Sequence, residues 1–96
     1  MYEFRMFISG DTVGNKKMVA DITSYLTRQF GNEYDFQVVD VIKNPHSARL
    51  DGILATPSLV KVNPPMRKIF GDLSDVEKVF ERLNLHIPPE IPDSVK

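Results

Sequence analysis

Residues 53–72 read ILATPSLVKVNPPMRKIFGD, and this stretch decides how the second half of the chain folds. Two β-prone runs, residues 58–63 and 66–70, stand on either side of the pair Pro64-Pro65. Because proline has no backbone N–H to donate to a strand ladder, the pair belongs at a bend. The pattern therefore predicts an antiparallel hairpin. Pro57 lies directly before the first strand, where a cis peptide bond is possible.

The first half of the chain reads as a strand, a helix and a second strand. Residues 2–9 begin with alternating polar and apolar side chains, and residues 34–42 form another β-prone run. Between them, apolar side chains recur at spacings of three and four: Met18, Val19, Ile22, Leu26 and Phe30. Thr12 or Asn15 is expected to cap this helix and Gly31 to end it. Such a unit predicts two parallel strands joined by a right-handed crossover.

Two further helices are predicted on either side of the hairpin. Asn44 and Pro45 suit the N-cap and the first residue of a short helix. After the hairpin, Ser74 and Glu77 match a capping box, which predicts a final helix over residues 75–83.

The resulting order, β-α-β-α-β-β-α, is the thioredoxin-like α/β arrangement with a four-stranded mixed sheet. That fold commonly places a cis-proline at the start of its third strand, where Pro57 stands. We expect one domain over residues 1–85 and a proline-rich tail over residues 86–96.

Composition limits the classes of function. The 96 residues carry a formal net charge of -1, so no global field attracts nucleic acid or an anionic membrane. The sequence has no cysteine, which excludes disulfides, thiolate metal sites and thiol nucleophiles. No run approaches the roughly 18 apolar residues of a spanning helix, and we expect a cytoplasmic protein.

No pattern of side chains predicts catalysis, a metal or a cofactor. His46 and His86 are the two histidines, and neither has clustered carboxylates beside it. Asp11 and Thr12 lack the glycine-rich cradle and the lysine of a phosphate-binding loop. Asp35 and Asp40 have no partner carboxylate at a defined spacing. We therefore expect a protein that is not an enzyme.

Five basic residues remain open to two interpretations: Lys16, Lys17, Lys61, Arg67 and Lys68. They are either a solvated basic fringe or a surface that meets an acidic partner protein. Nucleic acid is a weaker interpretation, because the aromatic side chains fall in core patterns and do not alternate with the lysines.

Longer motifs add a resemblance. Residues 38–45 (VVDVIKNP), 53–59 (ILATPSL), 61–62 (KV) and 71–74 (GDLS) closely resemble the KaiB family of circadian clock proteins. The likeness covers residues 4–79. It implies a non-catalytic protein that binds the ATPase ring of KaiC, and clock members also sequester KaiA. The family switches between a tetrameric ground-state fold and a thioredoxin-like monomer.

The resemblance also indicates binding residues. Lys17, Arg67 and Lys68 match basic family positions linked to partner contact, and Lys43 and Asn44 in the matching motif join this expected set.

The sequence departs from the family pattern at several positions. Gly52 and Gln37 replace residues that are commonly basic, and the Pro-Pro corner is one residue shorter. These departures make a KaiA contact doubtful and indicate a paralogue or a member outside the core oscillator.

Two further points stay open from the sequence. A cysteine-free thioredoxin-like domain with a structural or sensor role is the alternative function. Arg82 and Asn84 stand where clock proteins often carry glycine and an acidic residue, and both changes favour a final helix. We therefore expect a thioredoxin-like monomer at rest, with a homotetramer as the alternative.

Overall fold

The computed structural model describes residues 1–53 and 55–83. Its elements follow the predicted order: β1 (Tyr2–Ile8), α1 (Val13–Phe30), β2 (Tyr34–Asp40), α2 (Pro45–Leu50), β3 (Ser58–Lys61), β4 (Arg67–Phe70) and α3 (Val76–Arg82). The predicted tail over residues 86–96 lies outside the described residues. No helix in the described ranges is long and apolar enough to cross a membrane.

The four strands form one mixed sheet in the order β2-β1-β3-β4. β1 pairs with β2 in parallel, as the strand-helix-strand pattern predicts. β3 pairs antiparallel with both β1 and β4, which confirms the hairpin around the Pro-Pro corner. The Thr56-Pro57 and Pro64-Pro65 peptide bonds are both cis.

The main core fills the side of the sheet covered by α1 and α3. β1 alternates, so Phe4, Met6 and Ile8 all point to this side and are buried. They pack with buried side chains from the helices and the other strands: Ile22, Leu26, Leu59, Ile69, Val79 and Phe80. Each such apolar side chain contributes about 1.5–3 kcal/mol relative to its exposed state.

The opposite side of the sheet carries α2, and Asp51 attaches this short helix to two strands. No residue of α2 itself is buried, so apolar packing of the helix is weak. Asp51 follows the helix, and its carboxylate accepts from the Arg5 guanidinium at 2.6 Å. The Lys68 ammonium donates to the Asp51 backbone carbonyl at 2.6 Å. Asp51 therefore links α2 to β1 and β4.

The ends of α1 follow the sequence expectation, whereas the start of α3 differs from it. The Thr12 hydroxyl accepts from the Asn15 N–H at 3.0 Å, and Gly31 ends α1 with a φ of 62°. At α3 the N-cap is Asp75, whose carboxylate accepts from the Lys78 N–H at 3.3 Å. The Ser74 capping-box prediction is therefore wrong.

A local turn explains the shifted cap. The Ser74 N–H donates to the Asp72 carboxylate at 2.9 Å, so Ser74 belongs to the turn that precedes α3. Asp75 then has the extended backbone of an N-cap, with φ -95° and ψ 93°.

Lys61 is also placed differently from the basic fringe suggested by the sequence. The residue is buried, and its ammonium donates to the carbonyls of Asn63 at 2.9 Å and Pro65 at 3.2 Å. Lys61 therefore holds the hairpin turn and presents no free charge to a partner.

Candidate functional site

β1, β2 and β4 end at the same edge of the sheet, and hydrogen bonds join the ends of β1 and β2 there. β2 and β4 both run in the direction of β1, because β4 is antiparallel to β3 and β3 is antiparallel to β1. We call residues 9–13 and 41–44, which follow β1 and β2, the carboxyl edge.

Asp40 joins the two loops of the carboxyl edge. Its carboxylate accepts from the N–H groups of Gly10 and Ile42, each at 3.0 Å. Its carbonyl accepts from the N–H groups of Lys43 at 3.1 Å and Asn44 at 2.8 Å. The hydrogen bond from Gly10 is the largest influence that lowers the pKa of Asp40. This turn ends β2 two residues earlier than the sequence predicts and fixes Lys43 and Asn44 beside the loop that leads to α1.

Asn15 fixes the other side of the same edge. Its side-chain amide donates to the carbonyls of Gly10 at 2.8 Å and Ser9 at 3.3 Å. Together with the Thr12 cap, these bonds hold the start of α1 against the loop. Asp40 and Asn15 thus supply hydrogen-bond partners to backbone groups in both loops of the carboxyl edge.

Large apolar side chains are exposed on this ordered edge. Val13 is 85% exposed and Ile42 is 67% exposed. Ile42 lies over Gly10, since its Cδ1 is 3.7 Å from where a Cβ on Gly10 would stand. Contiguous exposed apolar surface with a polar rim is a feature of protein interaction sites.

Basic residues are close to these two apolar residues in the sequence: Lys16 and Lys17 lie one turn after Val13 in α1, and Lys43 follows Ile42. The Lys16 ammonium lies 3.7 Å from the Asp11 carboxylate. The Lys17 ammonium lies 2.8 Å from the carboxylate of Asp21, one turn further along α1. Exposed pairs of this kind contribute roughly 0–1 kcal/mol and leave the lysines available to a partner. Lys43 is exposed in the loop after β2.

Arg67 and Lys68 lie away from the carboxyl edge and its lysines. They are in β4, and the strand order puts β4 and β2 at opposite sides of the sheet. As neighbours in one strand, the two side chains point to opposite faces: Arg67 is opposite Lys61, and Lys68 is opposite Val60. The basic residues predicted from the sequence therefore form two separate groups.

Among residues 1–53 and 55–83, no three histidine, aspartate or glutamate side chains are grouped to hold a metal ion. His46 is exposed in α2. His86 lies outside the described residues.

Two carboxylates that organise the molecule were missed by sequence reasoning. Asp40 had a local signal, because an aspartate directly before a turn often accepts from backbone N–H groups two residues on. Asp51 had none, since its partner Arg5 is 46 residues away in the sequence.

Comparisons with known proteins give the family of the chain. The family model described as the KaiB domain matches residues 5–85. The circadian clock oscillator protein KaiB of Cyanothece sp. (strain PCC 7425) is 42% identical over 85 residues, which cover 88% of this chain and 81% of that protein.

Solved structures give the fold. The N-terminal domain of Synechococcus elongatus SasA is similar with a TM-score of 0.60 at 20% identity, over 86% of this chain and 83% of that domain. Thioredoxin 1 of Thermosipho africanus TCF52B is similar with a TM-score of 0.59 at 20% identity, over 83% of this chain and 91% of that protein. The fold is therefore thioredoxin-like, as the element order predicts.

Proposed function

The chain belongs to the KaiB family of clock proteins, and from this premise we propose that it is a non-catalytic binding module that docks on a KaiC-type ATPase. Its role is then circadian or clock-related regulation in the cytoplasm. The observation that carries the proposal is the carboxyl edge, where Val13 and Ile42 are exposed on an ordered backbone. Lys17 follows Val13 by one turn of α1, and Lys43 is next to Ile42 in the sequence.

The two kinds of side chain on this edge have different tasks. Burial of Val13 and Ile42 against the partner supplies affinity, because the centre of an interface excludes water. Lys17 and Lys43 with Asn44 form the polar rim, and positive charge there speeds encounter with an acidic surface. Arg67 and Lys68 on β4 supply a second, separate contact.

The proposal does not extend to KaiA. Gly52 has a φ of 68°, a conformation that residues with a Cβ rarely adopt. A Cβ there would lie 3.2 Å from the Lys68 ammonium. A lysine at this position would therefore have a strained backbone and would crowd the Lys68 side chain, so the family's basic residue is disfavoured in this arrangement of α2 and β4.

A structural or sensor domain outside a clock is the second candidate. The likeness in fold to thioredoxin 1, together with the absence of cysteine from the sequence, is the observation that supports it. It predicts no affinity for a KaiC-type ATPase.

Binding of purified variants to an immobilised KaiC-type ATPase from the same organism, with nucleotide present, tests the proposal. Ile42→Asp should weaken binding at least about tenfold, equivalent to about 1.4 kcal/mol. Leu50→Asp is the matched control, because Leu50 is 72% exposed but lies on α2. Equal effects of the two substitutions would show that the carboxyl edge is not the surface that binds the ATPase. No binding of the unaltered protein would favour the second candidate.

Charge reversal tests the rim and the separate contact on β4 together. Lys17→Glu combined with Lys68→Glu should weaken binding by about 1 kcal/mol, mainly through slower association. Measurement of association rates at two salt concentrations checks this. Unchanged rates and an unchanged salt dependence would show that these cations do not face the partner.

A further inference from the structure

β4 is an outer strand of the sheet, and the hydrogen-bond pattern shows which of its backbone groups point outward. The Gly71 N–H donates to the Pro57 carbonyl at 3.1 Å, so this pair is a hydrogen-bonded pair of the ladder. Such pairs alternate with non-hydrogen-bonded pairs in an antiparallel ladder. Ile69 and Arg67 therefore bond to β3, whereas the N–H and C=O groups of Lys68 and Phe70 point away from it.

These outward groups have no protein partner among the described residues. No hydrogen bond from residues 1–53 or 55–83 reaches the backbone N–H or C=O of Lys68 or Phe70 outside the ladder. Two donors and two acceptors, spaced along an extended strand, are the groups that an added strand would use.

The side chains along this edge combine apolar surface with positive charge. Phe70 is 54% exposed, and Met66 just before the strand is similarly exposed. Within the described residues, neither Arg67 nor Lys68 makes an ion pair with a carboxylate. Lysine and arginine on an edge repel a second basic strand and leave the edge open to an acidic one.

We propose that the outer edge of β4 binds an extended acidic segment of a partner protein by strand addition. If a second copy of this chain paired through β4, the two copies would place four cations on one pair of short strands. Repulsion between these charges disfavours a second copy as the binding partner. The inference goes beyond docking at the carboxyl edge. It rests on the proposed function only in assigning Arg67 and Lys68 to partner contact.

The register fixes which side chains the added strand needs. Lys68 and Phe70 share one face, and Arg67 and Ile69 share the other. Glutamates opposite Arg67 and Lys68 and valines opposite Ile69 and Phe70 match both faces. An antiparallel partner therefore reads Val-Val-Glu-Glu from its amino end.

Amide-resolved NMR hydrogen exchange with a synthetic probe tests this mode of binding. The probe is the capped peptide Ser-Val-Val-Glu-Glu-Ser, and its control is Ser-Val-Val-Lys-Lys-Ser. At saturating probe, the amides of Lys68 and Phe70 should exchange at least about fivefold more slowly, because they gain acceptors on the added strand. The amide of Ile69, already bonded to β3, should change much less, and the lysine peptide should have no effect.

Substitution of the edge cation supplies a second readout. Arg67→Glu leaves the Lys68 contact with Asp51 in place and should weaken probe binding at least about threefold. Arg49→Glu, on exposed α2, is the matched control and should not weaken it. The NMR spectrum of each free variant reports whether it is folded.

Several outcomes would overturn the inference. One is that the probe protects neither the Lys68 nor the Phe70 amide from exchange. Others are that it protects amides of β2 instead, or that the two peptides bind equally well. Protection of Lys68 and Phe70 that rises with protein concentration without probe would identify a second copy as the occupant and overturn the acidic-partner assignment. Since no ATPase is present, failure here leaves the Ile42 test of the proposed function unaffected.

Discussion

Phe80 offers a quantitative test of how the carboxyl-terminal half packs. The residue is 2% exposed in α3, its ring stacks on Tyr25 with centroids 4.5 Å apart, and it meets the edge of the Phe4 ring at 5.6 Å. These contacts join α3 to α1 and β1. They exist only if α3 closes the helical side of the sheet as described.

Phe80→Ala should be strongly destabilising. Truncation of a buried phenylalanine to alanine costs about 3–5 kcal/mol. Each aromatic pair contributes about 0.5–1.5 kcal/mol beyond area burial, so we expect a loss of about 4 kcal/mol. A domain of this size has a total stability of about 5–15 kcal/mol, so the loss is a large part of it.

Phe70→Ala is the matched control, since it removes the same ring from a half-exposed position. Full burial of a phenylalanine contributes about 1.5–3 kcal/mol, so its loss at Phe70 should cost less than about 1.5 kcal/mol. Urea unfolding followed by circular dichroism measures both values from the midpoint and slope.

If Phe80→Ala does not fold, Phe80→Leu keeps the apolar bulk and removes both ring pairs, at an expected cost of about 1–2 kcal/mol. A cost below about 1 kcal/mol for Phe80→Ala, or an equal cost at Phe70, would refute the packing of α3 and favour another carboxyl-terminal arrangement.

Three more predictions follow from the same structure. The Gly10 N–H keeps the pKa of Asp40 below its ordinary value of 3.8, so the ionised carboxylate stabilises the fold above that pH and this stability is lost as the pH falls through the lowered pKa. Acid unfolding of Asp40→Asn should therefore depend less on pH in that window than unfolding of the unaltered protein, and identical curves would contradict the role of Asp40. Asp51→Ala removes the partially exposed pair with Arg5, at a cost of about 1 kcal/mol or less, and should speed hydrogen exchange in α2 but not in α1. Unchanged exchange in α2 would show that Asp51 does not hold it. Light scattering should give the mass of one 10.9 kDa chain, whereas a tetramer mass would contradict the predicted resting monomer.

Local patterns in the sequence are sufficient to predict the helices and strands and most of the strand pairing. The apolar spacing of Ile22 and Leu26 predicted α1, and the strand-helix-strand order predicted the parallel pairing. The Pro-Pro corner predicted the hairpin. These features depend on residues close together in the sequence, where helix and strand periodicities act directly.

Features set by distant residues could not be predicted in the same way. The burial of Lys61 depends on carbonyls presented by the folded turn, and the attachment of α2 depends on the pair between Arg5 and Asp51. The sequence pattern predicts Ser74 as the N-cap of α3, whereas the N-cap is Asp75, because the Ser74 N–H donates to the Asp72 carboxylate.

The candidate site was predicted by residue type but not by arrangement. Lys17, Lys43 and Lys68 were all named from the sequence, yet only the strand order shows that Lys68 lies apart from Lys43. Ile42 carried no signal of its own, because its exposure results from the turn that Asp40 builds.

Hydrogen exchange of this protein in complex with a KaiC-type ATPase tests the proposed docking surface most directly. Exchange in residues 9–17 and 41–44 should slow on complex formation, because these segments form the carboxyl edge and the first turns of α1. Exchange in α2, which carries the exposed control residue Leu50, should stay the same. A complex that protects α2 while residues 9–17 and 41–44 exchange as in the free protein would contradict docking through the carboxyl edge.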